Sequence, residues 1–92
     1  MQESYLEITY RKGRALAAYY YLPRREGQKS YRTREHAPGL LVDYSRGGKP
    51  IGIEIAAPSR VSLRALNRVL GELGQEKLGK EEFAPLEVRA SA

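Results

Sequence analysis

The sequence contains no cysteine and a single histidine, His36. Without thiols the chain can form neither disulfides nor thiolate metal sites, and one histidine does not make a zinc site on its own. The longest apolar run, residues 16–23, is far shorter than the ~20 residues that span a bilayer. Residues 1–5 lack the basic and apolar regions of a secretory signal. We therefore expect a cytoplasmic protein with no membrane segment, metal or cofactor.

The chain is also short. Its 92 residues suffice for one domain, and a domain of this size buries only a modest core. Since disulfides are excluded, its stability must come from packing within the chain or against a partner subunit. We predict one domain over residues 1–74 and a partly ordered C-terminal extension over residues 75–92.

Basic residues outnumber acidic ones, 16 to 11, which gives a net charge of +5. The excess is concentrated between residues 10 and 36, where eight basic and two acidic residues give a local net charge of +6. A local positive field attracts nucleic acid, an acidic protein or anionic lipid, although the same residues can also form an ordinary solvated surface. The candidate binding residues are Arg11, Lys12, Arg14, Arg24, Arg25, Arg32 and Arg34.

Alternation of apolar and polar residues predicts strands in the first half of the chain. Residues 5–10 alternate, and the glycine-containing segment 11–13 predicts a hairpin turn after them. Residues 14–22 are apolar on both faces. This strand should therefore lie inside the sheet, with other parts of the protein packed against both of its faces. A third, more exposed strand is expected at residues 30–36. The aromatic residues that we expect at an interface are the consecutive Tyr19, Tyr20 and Tyr21, which should point to alternate faces.

A second hairpin is predicted over residues 40–55. The Gly47-Gly48 pair suits a two-residue turn, and the flanking strands match only when their apolar residues share a face. The predicted cross-strand pairs are Tyr44 with Ile51, Val42 with Ile53, and Leu40 with Ile55.

After this hairpin the apolar residues recur at helical spacing. Leucines at three- and four-residue steps predict one amphipathic helix over residues 61–73, capped by Ser59 or Ser62. The predicted fold is α+β, a single antiparallel sheet of four to five strands with this helix packed on one face. In the tail we expect a turn of helix, an edge strand and a frayed end, at residues 81–83, 86–88 and 90–92.

Few residues suggest catalysis. Asp43 and Glu54 should lie on neighbouring strands of the second hairpin, where two carboxylates could act as an acid/base pair or hold a divalent cation. No second histidine or base-activated nucleophile accompanies them, and the pattern is more typical of solvated carboxylates. The glycines near residue 47 precede no helix, which argues against a phosphate loop. We therefore predict that the chain is not an enzyme.

Residues 38–59 resemble the YuzE-like family of small bacterial proteins of unknown function. They contain a Pro-Gly pair, an apolar run ending in Asp43-Tyr44, a glycine turn, and then Gly52-Ile53-Glu54-Ile55 before small residues and a serine. Residues 8–10 and 17–22 look like the first two strands of the family. The chain departs from the family at Arg11 and Leu16, where acidic residues are common, and its basic loop and its tail are longer. The residues that carry this motif are Asp43, Tyr44, Gly52 and Glu54.

The resemblance implies a compact α+β fold and an antitoxin-like partnership with a small protein, and it brings no catalytic residues. Together with the two-sided apolar strand, it favours a non-enzymatic interaction module that is homodimeric or binds a small partner protein. The alternative is a nucleic-acid-binding protein that uses the basic segment 11–34.

Overall fold

The computed structural model describes residues 3–87. They form five strands, two α-helices and two 3₁₀-helices. The strands are β1 (Tyr5–Arg11), β2 (Arg14–Tyr21), β3 (Arg32–Ala37), β4 (Leu40–Tyr44) and β5 (Pro50–Ile55). The α-helices are α1 (Leu63–Glu72) and α2 (Lys80–Phe83), and the 3₁₀-helices cover Pro58–Arg60 and Ala84–Glu87.

The strands make one antiparallel sheet in the order β1-β2-β5-β4-β3. The pairing of β2 with β5 joins the β1–β2 hairpin to the three consecutive strands β3, β4 and β5. This pairing places β5 at the centre of the sheet and β2 beside it. The predicted α+β fold with a single sheet of four to five strands is therefore confirmed. The two-sided apolar strand also lies inside the sheet, as expected, but the expected cover on both of its faces is not found, because the described helices α1 and α2 pack on one face only.

One face of the sheet carries the core. The side chains that point to this face from β2, β4 and β5 are buried, and α1 covers them with Leu66, Val69 and Leu70. The core residues contributed by the strands are Ala18, Tyr20, Leu40, Val42, Ile53 and Ile55, and Leu22 joins them directly after β2. Every described helical segment that contributes a buried side chain to this core therefore packs on the same face of the sheet. None of the helices between residues 3 and 87 is long and apolar enough to cross a membrane.

The β4–β5 hairpin follows the predicted register only in part. Val42 pairs with Ile53 and Leu40 pairs with Ile55, but Tyr44 pairs with Pro50 and not with Ile51. A bulge between Asp43 and Tyr44 causes the shift, because an extra residue on one strand displaces the pairs beyond it. The predicted two-residue turn is also wrong. The turn is longer, and the amide of Ser45 donates to the carbonyl of Lys49 at 2.8 Å.

Helix α1 begins later than predicted, because residues before Leu63 form a 3₁₀ turn and an extended linker. Of the two serines proposed as caps, Ser62 is the one that caps the helix, and its hydroxyl accepts from the Ala65 amide at 3.0 Å. After the helix Gly74 adopts a φ of 70°, the left-handed conformation in which glycine commonly terminates helices.

The tail folds back onto the core face. The predicted turn of helix at residues 81–83 falls in α2, but the predicted edge strand at 86–88 is wrong, because residues up to Glu87 form a 3₁₀-helix. Pro85 lies in this segment and has no amide hydrogen for a sheet. Residue 88 and the predicted frayed end at 90–92 lie outside the described residues. The buried side chains that attach the tail to the core are Leu78, Phe83 and Leu86.

Candidate functional site

The second face of the sheet carries no helix among residues 3–87, and we refer to it as the open face. Strand register determines which side chains it presents, because directly paired residues point to the same side. Its residues are Tyr5 and Glu7 from β1, Tyr19 and Tyr21 from β2, Thr33 and Glu35 from β3, Leu41 and Asp43 from β4, and Gly52 and Glu54 from β5.

Three tyrosines form a contiguous aromatic cluster on the open face. Tyr5 stacks on Tyr21 with ring centroids 4.4 Å apart, and Tyr19 meets Tyr21 edge-on at 4.6 Å. Tyr20 does not belong to this cluster, because it points to the core face and is buried there. Of the three consecutive tyrosines expected at an interface, two therefore reach the open face, and Tyr5 joins them from the neighbouring strand.

The Tyr19 side chain crosses the central strand to reach β4. Its hydroxyl donates a hydrogen bond of 2.7 Å to Asp43 Oδ2, while the Thr33 hydroxyl donates to Oδ1 of the same carboxylate. The ring passes directly over Gly52, where a Cβ would overlap it far inside the 3.0 Å that Cβ atoms keep. Burial, followed by the hydrogen bond to Asp43, raises the pKa of Tyr19 well above its usual value.

This arrangement gives the motif residues a structural explanation. Gly52 is the position at which only the absence of a side chain lets Tyr19 cross, and Asp43 is the acceptor that holds the ring in place. Tyr44 points to the opposite side, where its hydroxyl lies 2.5 Å from Nε2 of His36. The motif thus contributes to both faces, and only three of its four residues lie on the open face.

The centre of the open face is acidic. Glu7 and Glu54 flank Tyr19 from the two neighbouring strands, and the Tyr21 hydroxyl donates to Glu7 Oε1 at 3.3 Å. Burial, with Glu7 as the next cause, raises the pKa of Tyr21. Arg24 lies at one edge, with its guanidinium 5.1 Å from the centroid of the Tyr21 ring. The four carboxylates of the face are those of Glu7, Glu35, Asp43 and Glu54.

The suggested pair of Asp43 and Glu54 lies on the open face, but not directly opposite. Asp43 pairs with Gly52, and Glu54 pairs with Leu41. Both oxygens of Asp43 already accept hydrogen bonds, one from Tyr19 and one from Thr33, so the carboxylate has a structural role in holding these two side chains. Within residues 3–87, no three or more His, Cys, Asp or Glu side chains come together in a way that could hold a metal ion.

The structure divides the predicted basic residues between the two ends of β2. This strand has eight residues, so its ends are roughly 23 Å apart at 3.3 Å per residue. One group lies at the β1–β2 turn and comprises Arg11, Lys12 and Arg14. The other lies at the end where β2 leaves the sheet and β3 enters it, and comprises Arg24, Arg25 and Arg32. Arg34 lies on the edge strand β3, opposite Val42.

Two further cations belong with the second group. Arg46 and Lys49 lie in the β4–β5 turn, and they line the same groove as Arg25 and Lys29. The sequence did not associate them with the basic segment, because some twenty residues separate the two segments and no local pattern links them. Antiparallel pairing of β4 with both β3 and β5 brings the segments together.

Comparison with known proteins adds no relative to this description. No family model matches the chain, and no match was found among curated proteins or solved structures. The resemblance of residues 38–59 to the YuzE-like family therefore stays a prediction from the sequence.

Proposed function

We propose that the protein is a non-enzymatic interaction module that binds a small protein with a basic surface on its open face. The observation that carries the proposal is the tyrosine cluster surrounded by carboxylates on a sheet face that no described helix covers. The resemblance to the YuzE-like family, which implies an antitoxin-like partnership, supports the same interpretation.

The tyrosine cluster is suited to protein recognition. Tyrosine is enriched in protein interfaces, because its ring offers a large contact area at a low cost in side-chain entropy. Here that cost is reduced further, since Tyr19 is held by Asp43 and Tyr21 is held by stacking with Tyr5. Tyr5 remains 47% exposed, so part of the cluster is available to a partner.

The negative charge of the open face determines which kind of partner it can bind. Of the four carboxylates on the described part of this face, those of Glu7, Asp43 and Glu54 lie beside the tyrosines, and all four repel nucleic acid phosphates and acidic proteins. Two copies docked through the same face would bring like charges together, which disfavours a homodimer through this surface. A cationic protein surface complements the face and is therefore the occupant we propose.

The size of the face limits the partner. Five strands about 4.8 Å apart make a sheet roughly 24 Å wide, and strands of five to eight residues make it about 20 Å long. The projected area is on the order of 500 Å², which is a lower bound on the accessible surface of the face, and a standard interface takes ~800 Å² of accessible surface from each partner. We therefore expect a small partner and an affinity that depends on salt concentration.

Site-specific cross-linking in the native cells tests this proposal. A photo-reactive benzoylphenylalanine is placed at Leu41, on the open face between Glu35 and Glu54, and in a matched control at Arg64, on the exposed side of α1. We expect a discrete adduct with a different, basic protein from the Leu41 position only. The adduct should disappear in a Glu7→Lys, Glu54→Lys double variant.

A Glu81→Lys, Glu87→Lys variant is the control for charge, because it makes the same change in the exposed tail on the other side of the sheet. It should leave the adduct intact. An adduct of twice the mass of the chain would replace the proposed partner by a second copy. An adduct that persists after reversal of Glu7 and Glu54 would show that the open face is not the binding surface.

A further inference from the structure

A groove separate from the open face lies at the end of the sheet where β4 turns into β5. It has a volume of about 800 Å³, and its walls are the β2–β3 loop on one side and the β4–β5 turn on the other. This volume is within the range of small-ligand and cofactor pockets. The side chains relevant to its chemistry are Arg25, Lys29, Tyr31, Arg46 and Lys49.

Among residues 3–87, four cations and no acidic residue line the groove. None of the four cations forms a salt bridge with a residue in the range 3–87. Four like charges around one groove repel each other unless an anion lies between them, and they create a field that draws anions in. The lining therefore indicates a ligand with several negative charges.

Hydrogen bonds from backbone amides hold the loop and the turn that form the two walls of the groove. In the loop, the Arg25 amide donates to the Gln28 side chain at 2.9 Å, and the Gln28 amide donates back to the Arg25 carbonyl at 3.2 Å. In the turn, Ser45 is buried and its hydroxyl accepts from the Lys49 amide at 3.2 Å. The cations are therefore anchored on ordered backbone on both sides of the groove.

Tyr31 adds an aromatic surface to this groove. It is 65% exposed, more than any other large hydrophobic residue in the range 3–87, and its amide donates a 2.8 Å hydrogen bond to the Tyr44 carbonyl. The guanidinium of Arg46 lies 5.4 Å from the centroid of its ring. An exposed ring beside cations is the arrangement by which proteins stack a nucleobase while they neutralise the adjacent phosphates.

We infer that this groove binds single-stranded nucleic acid, with Tyr31 stacking a base and the four cations contacting the phosphates. A duplex keeps its bases stacked inside, so Tyr31 can stack only on a single strand. An acidic peptide would use the cations but would have no base for the ring. The site differs from the predicted basic segment, because it excludes the hairpin cations near residue 12 and includes Arg46 and Lys49. It also shares no residue with the open face.

The test measures binding of a fluorescein-labelled octathymidylate by fluorescence anisotropy at salt concentrations between 50 and 200 mM. Over this range the affinity of binding through phosphate contacts falls steeply. Four phosphate contacts predict a slope of log K against log salt of about −3, at ~0.7 per contact for a single strand. An Arg25→Gln, Arg46→Gln variant should halve the slope to about −1.5. Tyr31→Ala should weaken binding about tenfold, since stacking on one base contributes ~1–3 kcal/mol.

An Arg11→Gln, Arg14→Gln variant is the matched control, because it removes the same charge at the far end of β2. It should bind like the wild type, and thermal melts should show that every variant is folded. Equal losses in the control and groove variants would overturn the inference in favour of non-specific attraction. The inference also fails if an octaglutamate peptide competes as well as the oligonucleotide, or if Tyr31→Ala binds normally.

Discussion

Replacing Gly52 with alanine places a methyl group where the Tyr19 ring crosses the central strand. Elsewhere in a strand, glycine to alanine stabilises a protein by roughly 0.5–1 kcal/mol, because alanine has less backbone entropy to lose on folding. At Gly52 the new Cβ overlaps the hydroxyl, Cζ and Cε2 of Tyr19. The ring has to swing away, and it then loses both its hydrogen bond to Asp43 and its edge-on contact with Tyr21.

The expected cost follows from these two losses. A hydrogen bond to a charged group contributes about 1.5–3 kcal/mol, and a favourable aromatic pair contributes about 0.5–1.5 kcal/mol. After the entropy gain of alanine is subtracted, Gly52→Ala should destabilise the protein by about 2 kcal/mol. With a urea dependence of about 1 kcal/mol per molar, the unfolding midpoint should fall by roughly 2 M.

A double-mutant cycle separates this explanation from a general intolerance of the central strand. In a Tyr19→Ala background the methyl group meets no ring, so Gly52→Ala should be neutral or stabilising by about 0.5 kcal/mol. Urea unfolding followed by far-ultraviolet circular dichroism measures all four proteins. The reasoning is refuted if the substitution costs the same in both backgrounds, or if it stabilises the wild type.

Three further predictions concern Tyr19, Asn67 and Ser62. Because the pKa of Tyr19 is raised, the folded chain keeps a proton that the unfolded chain releases above pH ~10, so stability falls as the pH rises beyond that value. Tyr19→Phe should make this fall in urea midpoint shallower, and an unchanged slope would contradict the assignment. The Asn67 side chain donates to the Leu78 carbonyl at 2.9 Å and accepts from its amide at 2.7 Å, so Asn67→Ala should cost about 2 kcal/mol and speed proteolysis within residues 75–79. Equal cleavage rates would refute a role in holding the tail. Ser62→Ala should cost about 1 kcal/mol in thermal or urea unfolding, whereas Ser59→Ala should cost little; equal effects would argue against the cap.

Local pattern explains why much of the fold could be predicted. The alternation in residues 40–55 determines which side chains share a face, so the pairs of Val42 with Ile53 and Leu40 with Ile55 follow from it. The bulge beside Tyr44 has no comparable signal, because an inserted residue changes the pairing without changing the alternation on either strand. The prediction therefore failed at the turn and held along the strands.

The candidate sites were less predictable than the fold. The three motif residues Asp43, Gly52 and Glu54 were identified from a resemblance, but nothing local indicates that Tyr19 reaches across Gly52 to Asp43. The edge strand expected near residue 86 was also wrong, because short apolar segments fit a strand and a 3₁₀ turn equally well. In both cases the deciding contacts join segments that are distant in the sequence.

The amino-acid sequence by itself excluded disulfides, through its composition, and determined the strand faces and the amphipathic helix, because these two depend on residues that are close together in the chain. It offered both Ser59 and Ser62 as caps of the helix, and only the structure shows that Ser62 is the cap. Tertiary structure decided the rest. The pairing of β2 with β5 places Tyr19 above Gly52, and the pairing of β4 with β3 brings Arg46 beside Tyr31. Side-chain periodicity acts over a few residues, whereas strand pairing selects among distant segments by how well their faces pack together, so only the folded sheet assembles the acidic tyrosine face and the basic groove.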